Sequence, residues 1–139
     1  WRDTSLNDGI RKLYKLVPWN YSVFGIEFPS NFISALNEML LQSCGEKIRV
    51  FPAIPKEWKE VKFENFRAEG AFLISAYMKD GVVNKIVVKS IKGEELLLMN
   101  PEPARKFCIK KNGKKLGIGE GKIFRLKTTP SSCYEFTIK

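Results

Sequence analysis

With no histidine in its 139 residues, the chain leaves three cysteines, one glycine run and a few aromatics as the side chains whose type and spacing invite chemistry. The missing histidine removes the usual general base near neutral pH and most zinc, copper and haem ligation schemes. A serine-histidine-aspartate or cysteine-histidine catalytic set cannot be assembled within it. Cys44, Cys108 and Cys133 are far apart, form no CxxC pair and leave one over if two are bridged. Buried free thiols are expected; the alternative is one disulfide between Cys108 and Cys133 on neighbouring strands. Gly117, Gly119, Gly121 and Lys122 in LGIGEGK resemble a phosphate loop only superficially. The GxxxxGK[ST] spacing is absent and Ile123 stands where the hydroxyl belongs, so these glycines are expected in a tight turn between strands. Neither a metal nor a cofactor is expected.

Trp19, Tyr21 and Trp58 could lay a flat ring against the C–H face of a pyranose, although large aromatics more often close cores. Trp58 is expected to anchor the link between helix and sandwich. The charge balance, 24 Lys+Arg against 15 Asp+Glu for a net +9, raises the question of nucleic acid. Its distribution argues against that. Lys85, Lys89, Lys110 and Lys122 sit at or beside alternate strand positions whose neighbours are apolar, the pattern of a solvated sheet face, and no RRM, KH or helix-turn-helix pattern accompanies them. The densest basic cluster, Gly113 to Lys115 with Arg105, Lys106 and Lys111, could attract an anionic glycan or a membrane surface, but a charged hairpin tip is the simpler account. No apolar run approaches a membrane span. Neither a nucleic-acid nor a membrane partner is expected.

The elements that must carry these residues divide at Gly45. Ile10, Leu13, Tyr14 and Val17 recur at helical spacing before Pro18, and residues 20–29 read as an ordered loop. Ser30 or Asn31 would cap a helix running to about Cys44, with Phe32, Ile33, Leu36, Met39 and Leu40 along one apolar stripe that needs a partner surface. Beyond Gly45 the period falls to 2. Strands are expected over 47–51, 61–67, 71–78, 83–90, 94–100, 106–111, 122–127 and 134–138, with hairpin turns at Asp80-Gly81 and Asn112-Gly113. This makes the fold class mainly β, an antiparallel sandwich of jelly-roll type preceded by one or two helices. Its inward residues would be Phe63, Phe72, Ile74, Ile86, Val88, Leu96, Leu98, Phe107, Ile109, Phe124 and Phe136. At 139 residues a further full domain is not expected, and a start at Trp1 without methionine suggests a fragment or processed chain.

Four landmarks occur in order: Phe24-Gly25-Ile26-Glu27; Glu38 to Ser43 (EMLLQS) running on to Phe51-Pro52-Ala53-Ile54-Pro55 and Trp58; Phe66 to Phe72 (FRAEGAF); and Met78-Lys79-Asp80-Gly81. Together they resemble glycoside hydrolase family 95, the α-L-fucosidase-like group. There QIDGNFG, EMLLQS, LPALP-x-x-W, GLRARGGF and W-x-D/N-G follow one another at similar gaps. The resemblance implies an inverting glycosidase whose (α/α)6 barrel is completed by residues 1–45, with 46–139 forming the C-terminal β-sandwich. It implies the upstream barrel of the same polypeptide as partner, an oligosaccharide as substrate and an extracytoplasmic location. It also puts Glu27 at the place of the QIDGN aspartate, as candidate general base of the parent; the ring chemistry above leaves Trp19 and Tyr21 as the candidate substrate contacts. The sequence departs at Gly25, where the family has glutamine, and at Phe28-Pro29-Ser30, where it has Gly-Asn-Phe. An independent carbohydrate-binding or adhesion module is the alternative that the β-rich pattern leaves open.

Overall fold

The computed structural model describes residues 27–139, with side chains from Ser30 onward. The segment 1–26, with its expected helix before Pro18, lies outside the described residues. The chain falls into two compact units, 1–35 and 36–139, whose boundary lies within helix α1, Glu27–Leu40. Ten strands follow: β1 Leu41–Gln42, β2 Arg49–Val50, β3 Glu60–Ala68, β4 Phe72–Lys79, β5 Val82–Ser90, β6 Glu95–Met99, β7 Phe107–Lys111, β8 Lys114–Gly119, β9 Ile123–Lys127 and β10 Ser132–Ile138.

Helix α1 starts earlier and stops sooner than its sequence pattern suggests. Pro29 is its third residue, where the locked φ suits a helix and the missing N–H has no intrahelical acceptor to lose. Ser30 and Asn31 therefore lie inside the helix and do not cap it. At the other end, Leu41 and Gln42 leave the helix to pair with Val50 and Arg49, and the Phe51 N–H donates to the Leu40 carbonyl at 2.8 Å. The EMLLQS landmark is thus split, Glu38, Met39 and Leu40 in the helix, Leu41 and Gln42 in β1, and Ser43 just beyond. Its apolar stripe divides too, since Phe32 and Ile33 are exposed while Leu40 packs against the core of the second unit.

That second unit is an antiparallel β-sandwich. The larger layer has strand order β3-β4-β5-β10-β7-β8. The smaller pairs β6 with β9 and is continued by Ile48, whose N–H donates to the Leu97 carbonyl at 2.9 Å and whose carbonyl accepts from the Met99 N–H at 2.8 Å. Alternation does the sorting: β4 buries Phe72, Ile74, Ala76 and Met78 and turns Leu73, Ser75 and Tyr77 outward. All eleven expected inward residues are buried. Phe124 of the small layer stands 5.4 Å from Phe136 and 5.6 Å from Phe107, ring centre to ring centre, and joins the layers.

Two hairpins form where expected, because Asp80, Gly81, Asn112 and Gly113 all adopt positive φ. The glycine run does not form one turn. Gly117 and Gly119 lie within β8, an unforeseen edge strand, and only Gly121 takes positive φ. A Cβ at Gly119 would stand 2.8 Å from Phe124 and 2.9 Å from Ile109, so close packing is what that position requires. Both edges of the large sheet carry register shifts, between Phe63 and Phe66 in β3 and opposite Ile109 and Lys110 in β8. Such irregularities blunt an edge against further strand pairing.

Candidate functional site

Glu27 is the first residue of α1. Its side chain, together with Trp19 and Tyr21, lies outside the described residues. What the structure does position is the landmarks downstream of Glu27, of which EMLLQS, FPAIP and FRAEGAF converge. Ser43 of EMLLQS accepts the Glu69 N–H of FRAEGAF on its Oγ at 3.2 Å, while Phe51 of FPAIP meets Phe63 edge-on at 5.2 Å and Phe63 meets Phe66 at 4.8 Å. Phe51 holds φ of 54°, unusual for a bulky residue, and its N–H bond to Leu40 and the contact with Phe63 keep it there. In FRAEGAF, Gly70 has φ of 78° and a Cβ there would sit 2.6 Å from the Phe72 ring. These residues fasten the end of α1 to the sandwich.

One expectation about this region is corrected. Trp58 is 40% exposed and its N–H simply closes a turn on the Pro55 carbonyl at 3.1 Å, so the anchoring falls to Phe51 and Ile54, which pack on the core. Glu38 is exposed and enters none of the ion pairs among the described residues.

The cysteines separate as well. Cys108 and Cys133 do lie on neighbouring strands, but Cys108 is opposite Thr137, four residues along β10 from Cys133. At ~3.3 Å per residue that is about 13 Å, beyond the ~7 Å limit for a bridge. All three thiols are free, two half-buried and Cys44 exposed. The expectation of free thiols holds, but none is fully buried, and Cys44, just after the short strand β1, is exposed. Glu46, Glu69, Glu94 and Glu95 line one open groove with Lys92, yet no three His, Cys, Asp or Glu among the described residues converge as a metal site would require.

The outer face of the large sheet carries the chemistry that periodicity alone did not reveal. Lys62 and Lys85 flank Tyr77 across the ladder. The Tyr77 hydroxyl donates to Glu60 Oε1 at 3.1 Å, Lys62 Nζ is 2.7 Å from Glu64 Oε1, and Lys85 Nζ is 3.1 Å from Glu135 Oε2. Burial, then the bond to Glu60, push the Tyr77 hydroxyl above its ordinary value. The hydrogen bond and charge of Lys62 hold the Glu64 carboxyl below the usual carboxylate range, and Glu64 raises the Lys62 ammonium in return. The sequence shows these residues only as an alternating polar face; their association depends on strand register.

The sign of the linkage follows from these directions. A depressed Glu64 contributes stability above its unfolded value and loses it as pH falls through the folded value; a raised Lys62 contributes below its unfolded value and loses it as pH rises through the folded one. Both groups are exposed, so the effect is small and screened by salt. Lys62→Gln is therefore expected to move the Glu64 midpoint upward, read by carboxyl-detected NMR titration. An unchanged midpoint would mean that the pair does not persist in solution.

A helix hands its chain to an antiparallel sandwich, and Ser43, Phe51 and Glu69 fasten that junction. The family model for the glycoside hydrolase family 95, C-terminal domain, matches residues 42–136, and the chain belongs to that family. A C-terminal domain of this kind implies a catalytic domain in the same polypeptide. No curated protein matches the chain.

Proposed function

We propose that the chain is the terminal portion of an inverting, α-L-fucosidase-like glycoside hydrolase, acting outside the cytoplasm. Its sandwich packs on the catalytic (α/α)6 barrel, and residues up to about 45 complete that barrel. The family match over 42–136 is the observation that carries this reading. The exposure of Phe32 and Ile33 supports it, because an apolar stripe left open on α1 is what a helix completing a larger bundle presents. The sandwich does no chemistry in this scheme. Through the Leu40 carbonyl, Ser43 and Phe51 it holds the far end of the helix that begins with Glu27.

Glu27 is the general base of the parent enzyme in this reading. An inverting hydrolase needs its base and its general acid roughly 6.5–9.5 Å apart, so that a water fits between the base and the sugar. The acid must come from upstream. Hydrolysis of fucosylated oligosaccharides by the longer polypeptide tests this. Glu27→Gln is expected to lower kcat about 100-fold or more with thermal stability unchanged, and the 139-residue chain alone is expected to be inactive. Unaltered turnover in the variant would remove Glu27 from the mechanism.

A further inference from the structure

An open groove on the outer face of the six-stranded sheet runs across β3, β4 and β5. Ser75 and Tyr77 come from β4, and Lys85, Val87 and Lys89 from β5. Lys62, Glu64 and Asn65 come from β3 at its irregularity, where Asn65 takes φ of 56° and its N–H donates to Ser75 Oγ at 3.0 Å. That bond ties the displaced edge strand to its neighbour. Bulges of this kind gather beside binding sites because they redirect side chains.

The charge of this groove differs from that of the protein. The chain carries 24 basic against 15 acidic residues, yet here Lys62, Lys85 and Lys89 are matched by Glu60, Glu64 and Glu135. A polyanion would find Lys62 and Lys85 already paired with carboxylates. A neutral, hydroxyl-rich ligand would find carboxylate acceptors and ammonium donors side by side, held at 2.7 Å and 3.1 Å. Vicinal hydroxyls, each both donor and acceptor at hydrogen-bond spacing, match that arrangement. The Tyr77 ring and Val87, both half-buried, supply apolar surface for the C–H face of a sugar.

We infer that this groove binds a neutral oligosaccharide. The glycoside hydrolase reading above supplies only the class of ligand. The test is an amide NMR titration of the 139-residue chain with cellohexaose, xylohexaose and galactohexaose at millimolar concentration. At least one is expected to give saturable shifts confined to residues 62–65, 75–77 and 85–89. Glu64→Gln, an exposed and conservative change, and Tyr77→Ala are each expected to weaken binding at least about tenfold, while Lys114→Gln on the β7–β8 hairpin leaves it unaltered. Silence with all three sugars, or shifts that follow the hairpin lysines and vanish in salt, would overturn the inference. Failure here with Glu27-dependent turnover intact in the longer polypeptide would sink the groove alone. Confined shifts without such turnover would sink the enzyme reading alone.

Discussion

Phe136→Ala is expected to remove about 3–5 kcal/mol of folding stability. Phe136 sits on β10, which pairs with both β5 and β7, is fully buried, and stacks on Phe124 of the opposite layer at 5.4 Å. Truncation loses the transfer free energy of the ring and leaves a cavity that two hydrogen-bonded neighbours prevent from collapsing. Leu116→Ala on the edge strand β8, where the side chain is 54% exposed, is expected to cost less than about 1 kcal/mol. Urea unfolding of the chain, compared at constant m-value, separates the two. Similar losses would mean that the ring between the layers does not close the core.

The position of Phe136 illustrates what the sequence makes legible. A period of 2 with aromatic and β-branched residues at alternate places determines which side chains go inside, because a one-residue slip would expose every one of them; the burial of Phe63, Phe72, Ile86 and Phe124 follows from that pattern. The Asp80-Gly81 and Asn112-Gly113 turns are legible for a local reason, the need for positive φ. The ends of α1 are less so. Leu40 and Leu41 suit a helix, but the tertiary bonds to Phe51 and Val50 decide where it stops. Strand β8 was hidden because Gly117 and Gly119 read as turn residues, whereas Gly119 is small to admit Phe124 and Ile109.

The candidate sites divide along the same line. Landmark order carries family membership, because motifs such as EMLLQS and FRAEGAF are brought together in space at Ser43 and Glu69. Those contacts are structural, and their spacing in sequence says nothing of who meets whom. The same limitation applies to Cys108 and Cys133, whose strands are adjacent but whose positions are four residues out of register, and to the groove around Tyr77, assembled from three strands.

Gly93→Ala is expected to cost about 2–4 kcal/mol, against about 1–2 kcal/mol for Gly113→Ala. Both glycines hold positive φ, 85° and 80°, so both variants suffer the backbone penalty of a left-handed alanine. They differ in surroundings. A Cβ at Gly113 meets nothing within 4 Å, whereas one at Gly93 would stand 2.6 Å from Pro130 Cδ and 2.9 Å from the Pro130 backbone nitrogen, a rigid ring that cannot swing aside. Gly93 also lies where the chain crosses from β5 to β6, and Pro130 where it returns from β9 to β10. The Gly93 N–H donates to Ser90 Oγ at 3.0 Å, Ser90 shares a bond with Thr128 Oγ1 at 2.8 Å, Thr128 donates to the Glu94 carbonyl, and the Thr129 N–H donates to the Tyr134 hydroxyl at 3.0 Å. Ser90 and Thr128 are buried, so pushing the crossings apart strands polar groups without water. Urea midpoints of the two variants measure the difference. If they coincide, the crossings yield freely, and the polar network does not hold the layers in register.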